Sequence, residues 1–211
     1  MLRRVILSMS AVALAAGGYA ATTASAAPGG GACTLSGSAN FAPNGPGNLD
    51  TFGYSFSGDL SNCQSNVNAP ASGKISAGNV ETVNGATYQE PAATGSGQVP
   101  GASCALGTTS GTAIVTWAGG THTVISYTTQ SEGAGVQLQG DVISSVTLPL
   151  ISGPIGAPAS ITVSSDNKSL PVGDSADGAL AFEVSDPTQC TTNAGVTTAG
   201  INGLVGVGAT S

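Results

Sequence analysis

Residues 112–129 read TAIVTWAGGTHTVISYTT, and this stretch decides the fold class. Two runs rich in Thr, Val, Ile and aromatic residues flank Gly119 and Gly120, and these residue types favour strands. A Gly-Gly pair between such runs is typical of a two-residue hairpin, because a type I′ turn needs positive φ at both central residues. We therefore predict a β-hairpin here. A two-residue turn predicts these cross-strand pairs: Trp117 with His122, Val115 with Val124, and Ile114 with Ile125.

Short alternating runs broken by Gly, Asn, Asp and Pro continue on both sides of this hairpin. Such punctuation is typical of all-β proteins. Further strands are expected at 34–41, 51–60, 72–77, 79–88, 135–148, 161–164 and 179–184, with a last strand through 204–207 as one interpretation of the tail. Gly140 is the expected site of a β-bulge. The segments 90–101 and 149–160 are rich in Pro, Gly or Ser and are expected to be loops.

The spacing of these runs predicts an antiparallel β-sandwich or barrel over 33–211, with a candidate subdomain boundary near 90–101. Phe52, Tyr54 and Phe56 alternate in sequence, so they share one face of a strand. We interpret that face as core. An exposed aromatic binding strip is the alternative.

The N-terminus has the pattern of a secretory signal peptide over residues 1–26. Arg3 and Arg4 precede an apolar stretch over Val5 to Ala16. A run of small residues follows it and ends in Ala24-Ser25-Ala26, a small-x-small cleavage site. The apolar stretch is shorter than the roughly 20 residues that span a bilayer. A flexible lead-in is expected at 27–32. The predicted location is extracellular, with association with the cell wall as a further expectation.

Charge excludes several classes of partner. Only 7% of residues are charged and the net charge is −7. Removal of the predicted signal peptide leaves Lys74 and Lys168 as the basic residues, against eleven acidic ones. Nucleic-acid phosphates and anionic membrane surfaces both require clustered Lys or Arg. Neither is an expected partner.

The four cysteines predict two disulfides, because an even count in an exported chain is typical of a disulfide framework. A hairpin with its turn at 42–50 would bring Cys33 beside Cys63, which favours Cys33–Cys63 together with Cys104–Cys190. The other two connectivities stay open. There is no C-x-x-C pair to support a zinc site.

No residue pattern assigns a catalytic, cofactor or metal role. His122 is the single histidine, and a cross-strand pair with Trp117 is its expected role. The glutamates show no recognisable pairing and are expected to be solvated acids in turns: Glu81, Glu90, Glu132 and Glu183. The acids near Asp174 and Asp177 leave calcium binding open, although the spacing does not fit an EF-hand loop.

Several stretches resemble small secreted actinobacterial proteins of unassigned function: SGDLSNC at 57–63, GASC at 101–104, GTAIVTW at 111–117 and DPTQC at 186–190. This resemblance implies export and β structure and carries no catalytic motif. The composition also resembles that of actinobacterial apoproteins that carry enediyne chromophores, which are secreted, acidic β-sandwiches with two disulfides. No binding motif of that family matches residue by residue.

Three functions follow as expectations. The favoured one is a secreted, non-enzymatic binding or structural domain, with a cell-envelope component as one form of it. The second is a carrier of a small apolar ligand in a β cleft, which a deep apolar cleft would favour. The third is a hydrolase that uses His122 or a carboxylate pair, which a serine or carboxylate near His122 in a polar pocket would favour.

Overall fold

The fold is known from a computed structural model, which describes residues 30–42, 51–65, 68–96, 106–132, 135–184, 186, 188–189 and 196–208. These residues form thirteen β-strands. The strands are β1 (Gly31–Ala42), β2 (Thr51–Ser65), β3 (Gly73–Ala77), β4 (Val80–Val83), β5 (Ala86–Gln89), β6 (Ala93–Ser96), β7 (Leu106–Trp117), β8 (His122–Glu132), β9 (Gly135–Ile143), β10 (Ser145–Ser152), β11 (Ser160–Ser164), β12 (Ser175–Val184) and β13 (Thr198–Gly208).

Eight of the strands close into an antiparallel barrel. Their order is β1-β13-β12-β9-β8-β7-β3-β2, and β2 pairs back with β1 to complete the ring. Closure removes the free sheet edges that would otherwise pair with other chains. The predicted all-β class is therefore confirmed, and of the two predicted architectures the chain adopts the barrel.

One position in the barrel wall is shared by two short strands. Both β3 and β6 lie between β2 and β7, but at different heights. Between them the chain leaves the wall as the β4–β5 hairpin, which joins β10 and β11 in a second sheet of four strands. A separate apolar cluster joins this hairpin and β10 to the outer side of β7: Ala86, Tyr88, Ile114 and Leu148.

The hairpin of β1 and β2 confirms the first predicted disulfide. The two strands pair continuously except at a bulge, where Asn62 has φ 51° and β2 gains one residue opposite Cys33. The bulge lies beside the bonded pair, and Cys33 and Cys63 form a disulfide with a Cα–Cα distance of 4.0 Å. Cys104 and Cys190 lie outside the described residues, as do the predicted signal peptide and residues 27–29 of the lead-in.

The central hairpin is confirmed, but its predicted register is wrong by one residue. Thr116 pairs with His122, Val115 with Thr123, and Ile114 with Val124. The backbone N–H of Gly120 donates to the carbonyl of Trp117 at 2.8 Å, and Gly120 has φ 80°. The loop therefore has three residues, a tight turn followed by a left-handed glycine, rather than a two-residue turn.

Four further expectations were wrong in detail. The run 79–88 is two strands around a tight turn, because Asn84 and Gly85 both have positive φ. The segment 90–101 contains β6, which completes the wall. The run 135–148 divides at Ser144 into β9 and β10, which belong to different sheets. The loop expected at 149–160 begins only after β10 ends at Ser152.

Gly140 is not at a bulge. Its pairing with Tyr127 and with Ala176 is continuous, and a Cβ at this position would lie 2.3 Å from the carbonyl oxygen of Ser126. The glycine is needed for this close approach.

The tail forms β13, which lies between β1 and β12, so the predicted last strand is confirmed and is longer than expected. Within the described part of the chain, no helix is both long and apolar enough to span a bilayer.

Candidate ligand-binding site in the barrel

The interior of the barrel is lined by every second residue of its strands, as the two-residue period of a strand requires. The predicted core face of β2 is confirmed, because Phe52 and Phe56 are buried and Tyr54 is half-buried. The described residues enclose two apolar cavities. One of about 40 Å³ lies beside the disulfide and is lined by Trp117 and Leu170. The other, of about 80 Å³, lies toward the end of the barrel where β1, β6, β8 and β12 end.

We call this second cavity the aromatic pocket. Its wall is largely apolar, with aromatic rings from four strands and hydroxyl groups on one side. The lining residues used below are Leu35, Phe41, Phe52, Tyr54, Phe56, Thr109, Tyr127, Thr129, Val136, Leu138, Phe182 and Ile201. Phe41 is central to the rings. Its centroid lies 5.7 Å from that of Phe52 and 5.8 Å from that of Phe182, both in edge-to-face geometry, which is a favourable arrangement of aromatic rings.

Inward-facing glycines make room for the large rings. A Cβ on Gly95 would lie 2.4 Å from the tip of the Phe52 ring, and one on Gly111 would lie 2.8 Å from the Tyr127 hydroxyl oxygen. Each ring therefore packs directly against the backbone of a glycine on a neighbouring strand. The barrel accommodates its few aromatic residues by pairing them with glycine, which fixes where the pocket forms.

Four hydroxyl groups form a chain of hydrogen bonds along one side of the pocket, which we call the hydroxyl chain. Tyr127 and Tyr54 oxygens are 2.5 Å apart, Tyr54 donates to Thr109 at 3.0 Å, and the Oγ1 atoms of Thr109 and Thr129 are 2.6 Å apart. Burial raises the pKa of both tyrosine hydroxyls, because the phenolate would lose its hydration. The chain is therefore made of neutral hydroxyls at ordinary pH.

A polar groove adjoins the aromatic pocket on the outside of the wall. It measures about 560 Å³ and shares Ser96, Thr109 and Thr129 with the pocket. The strand registers place nine exposed, uncharged side chains in two rows across this face. The rows are Thr51, Ser96, Thr108, Gln130 and Gln137, and then Thr94, Ser110, Thr128 and Gln139.

Glu90 is fully buried, so the expectation that it is a solvated turn acid was wrong. It lies where the β4–β5 hairpin leaves the barrel wall. Its Oε1 accepts from the Ser76 hydroxyl at 2.6 Å and its Oε2 accepts from the Asn79 backbone N–H at 2.8 Å. Burial raises the pKa of Glu90, and nearby Glu81 acts in the same direction. The carboxylate therefore bonds to β3 through Ser76 and to Asn79, where the chain leaves the barrel wall.

His122 does not pair with Trp117 as predicted. Trp117 Nε1 instead donates to the hydroxyl of Thr123 at 2.8 Å. The described contacts of His122 are made by its backbone, whose N–H donates to the Asp166 carboxylate at 2.6 Å and whose carbonyl accepts from the Asp166 N–H. The Ser165 hydroxyl bonds to backbone groups of Val124 and Ile143. These contacts hold the segment after β11 against the start of β8.

Glu81, in β4, lies beside Glu90, and its Oε1 is 3.5 Å from the same Ser76 hydroxyl oxygen, so the expectation that the glutamates are unpaired was wrong for these two. The other acidic residues that the sequence singled out are separated along the fold. Asp174 precedes β12 and is buried, which raises the pKa of its carboxyl, whereas Asp177 is exposed within β12. Glu132 ends β8, and Glu183 is exposed in β12. Within the described ranges, no three His, Cys, Asp or Glu side chains lie close enough together to hold a metal ion.

The aromatic pocket was only partly visible in the sequence. The alternation of Phe52, Tyr54 and Phe56 identified one wall. The sequence did not predict a role for Thr109, because β7 begins at Leu106, before the first residue of the predicted strand. It did not predict one for Phe182, because that residue belongs to a short run. One signal in the sequence could have identified the pocket. Every second residue at 107–113 is small, and such a strand face leaves space that large rings from other strands can fill.

No family model, curated protein or solved structure matches this chain.

Proposed function

We propose that this chain is a secreted, non-enzymatic protein that binds a small apolar ligand in the aromatic pocket. The observation that carries the proposal is an apolar cavity of about 80 Å³ inside a closed barrel, bounded by aromatic rings. Small ligands bind in concave, mostly apolar sites with a few placed polar groups. The pocket has that composition, because the hydroxyl chain is its main polar feature.

The size of the pocket limits the ligand. Eight-stranded barrels are either filled by side chains or hold one small ligand. An engineered cavity of about 150 Å³ accepts benzene, and the pocket here is about half as large. A molecule of a few carbon atoms therefore fits the pocket as it stands. A molecule of the size of benzene, such as a five-membered ring with one substituent, binds when the rings of Phe41 and Phe182 move aside.

Export is supported by two independent features. The sequence of residues 1–26 has the pattern of a cleaved signal peptide. The Cys33–Cys63 disulfide is consistent with an oxidising compartment.

A second candidate function is attachment to a neutral polysaccharide of the cell envelope. The outer groove supports it, because its two rows of exposed Thr, Ser and Gln side chains carry no charge. Such side chains offer both donors and acceptors to sugar hydroxyls. Sedimentation of the protein with purified cell-wall glycan tests this candidate, and failure to co-sediment would remove it.

The proposed ligand site is tested by titrating the disulfide-intact protein with methylenecyclopentane, followed by methyl NMR. We expect saturable shifts of the Leu35, Val136 and Ile201 methyl groups, which line the pocket. Leu148, in the separate cluster under the β4–β5 hairpin, serves as the internal control and should not shift. Absence of saturable shifts at the pocket would contradict the proposal.

A further inference from the structure

The hydroxyl chain contains one proton more than its own bonds use. Each hydroxyl supplies one proton and can accept. Tyr54 donates its proton to Thr109, so the bond between the two tyrosines is donated by Tyr127. The third bond uses one proton of the Thr109 and Thr129 pair. Three bonds therefore consume three of four protons.

The unused proton is at the threonine end of the chain. It belongs to Thr129 if Thr109 donates between them, and to Thr109 if Thr129 donates. Neither threonine hydroxyl donates to any other acceptor among the described residues. Both are half-buried and both line the aromatic pocket. Because hydrogen bonds in a chain polarise one another, this terminal hydroxyl is a strengthened donor.

The charges around the barrel decide what kind of acceptor fits. Lys74 and Lys168 are both exposed, and the described ion pair between Lys74 and Asp59 is on the surface. No described residue lining the pocket is cationic. An anionic head group would therefore be buried without a counter-ion, which is costly. The acceptor that fits is uncharged.

We infer that the ligand of the aromatic pocket is an apolar molecule with one uncharged hydrogen-bond acceptor, of the ketone, aldehyde or ester class, whose carbonyl oxygen accepts the free proton of the Thr109–Thr129 pair. This inference rests on the proposed function and specifies its ligand. An apolar ligand without an acceptor offers that donor no partner inside the pocket, so the pocket favours the ligand that has one.

The experiment compares cyclopentanone with methylenecyclopentane, which differ only in that an oxygen replaces a CH₂ group. The measured quantity is the Kd of the alkene divided by that of the ketone, in the full disulfide-intact chain. Comparing this ratio between variants cancels the different hydration of the two ligands. The test variant is T109V/T129V, which keeps side-chain shape and removes both hydroxyls.

The matched control is T108V/T128V, which makes the same two changes on the same two strands. Thr108 and Thr128 are exposed on the outer face. In T109V/T129V the last free proton is on Tyr54, whose hydroxyl oxygen is 3.0 Å from that of Thr109 in the unmodified protein. A carbonyl that binds at the position of the threonine pair then has lost its donor. We expect the ratio to fall about fivefold in this variant, as the loss of one hydrogen bond of about 1 kcal/mol gives, and to stay unchanged in T108V/T128V.

A measurement on the unmodified protein keeps the inference testable if T109V/T129V does not fold. The infrared C=O stretch of bound cyclopentanone should lie below its value in hexane, because a hydrogen bond weakens the carbonyl bond. A stretch at the hexane value would overturn the inference, as would an equal ratio in the test and control variants. In both cases binding of methylenecyclopentane would leave the proposed function intact. If neither ligand binds, the proposed function itself fails, and the inference fails with it.

Discussion

The hydroxyl of Ser76 donates a 2.6 Å hydrogen bond to the carboxylate of Glu90, a residue with no exposed surface. Ser76 is in β3 and Glu90 follows β5, so the bond joins the barrel wall to the end of the hairpin that leaves it. No basic side chain among the described residues bonds to this carboxylate. Glu90 is therefore a buried acid that is held by hydrogen bonds and not by an ion pair with a described residue.

Glu90→Gln should become increasingly stabilising as the pH rises. The pKa of Glu90 is raised in the folded state by burial, above its ordinary value of 4.5. A raised pKa contributes stability that is present below the unfolded value and is lost as the pH rises through the folded value. The Gln amide oxygen can still accept from the Asn79 N–H.

Thermal melts at pH 4 and pH 8 measure this effect. The Tm of the E90Q variant relative to the unmodified protein should be higher at pH 8 than at pH 4. Glu183→Gln, at an exposed position of β12, is the control. If the Tm difference between E90Q and the unmodified protein is the same at both pH values, burial does not raise the pKa of Glu90.

The three-residue loop of the central hairpin predicts unequal effects at its two glycines. A Cβ at Gly119 or Gly120 would contact nothing within 4 Å, but only Gly120 has positive φ. Gly120→Ala should therefore destabilise by about 1–2 kcal/mol through backbone strain, and Gly119→Ala by less than about 0.5 kcal/mol. Chemical denaturation measures both. Equal losses would instead support the two-residue turn, in which both glycines have positive φ.

Replacing Cys33 and Cys63 together by alanine should lower the free energy of unfolding by about 3–4 kcal/mol. The bridge closes a loop with a sequence separation of 30 residues, and the chain-entropy relation gives this value for a loop of that length. Urea denaturation of the oxidised double variant and the unmodified protein provides the comparison. A loss below about 1 kcal/mol would mean that the bridge constrains the unfolded chain little.

Local chemistry was sufficient to predict the strands but not the shape they make. The β1–β2 hairpin and its disulfide followed from turn residues between two alternating runs. The register of the central hairpin did not, because Gly119-Gly120 fits both a two-residue and a three-residue loop. Closure into a barrel depends on β1 pairing with β13, and contacts between residues so far apart leave no local pattern.

The candidate site was harder to predict than the fold for the same reason. Tyr54 and Tyr127 are separated by 73 residues, yet their hydroxyls bond. The prediction for Glu90 was wrong because a Pro- and Gly-rich context is typical of a solvated loop. Its burial follows from the division of one wall position between β3 and β6, which only the assembled barrel reveals.

The second predicted bridge, Cys104–Cys190, stays a prediction. Cys104 lies between β6 and β7, and Cys190 between β12 and β13. The ends of these strands lie at the same end of the barrel, which favours this pairing. Non-reducing peptide mapping should yield one peptide pair linked through Cys33 and Cys63 and another through Cys104 and Cys190. Free thiols at both positions of the second pair would overturn the prediction.

The most direct test of the ligand site is the Kd of methylenecyclopentane for the unmodified protein, Ile201→Trp and Leu204→Trp. Ile201 lines the aromatic pocket, whereas Leu204, on the same strand, is 40% exposed. An indole at position 201 fills the cavity, so binding to I201W should weaken at least about tenfold, which is about 1.4 kcal/mol. Binding to L204W should be unchanged. Equal affinity for all three proteins, or no binding to the unmodified protein, would contradict a ligand site inside the barrel.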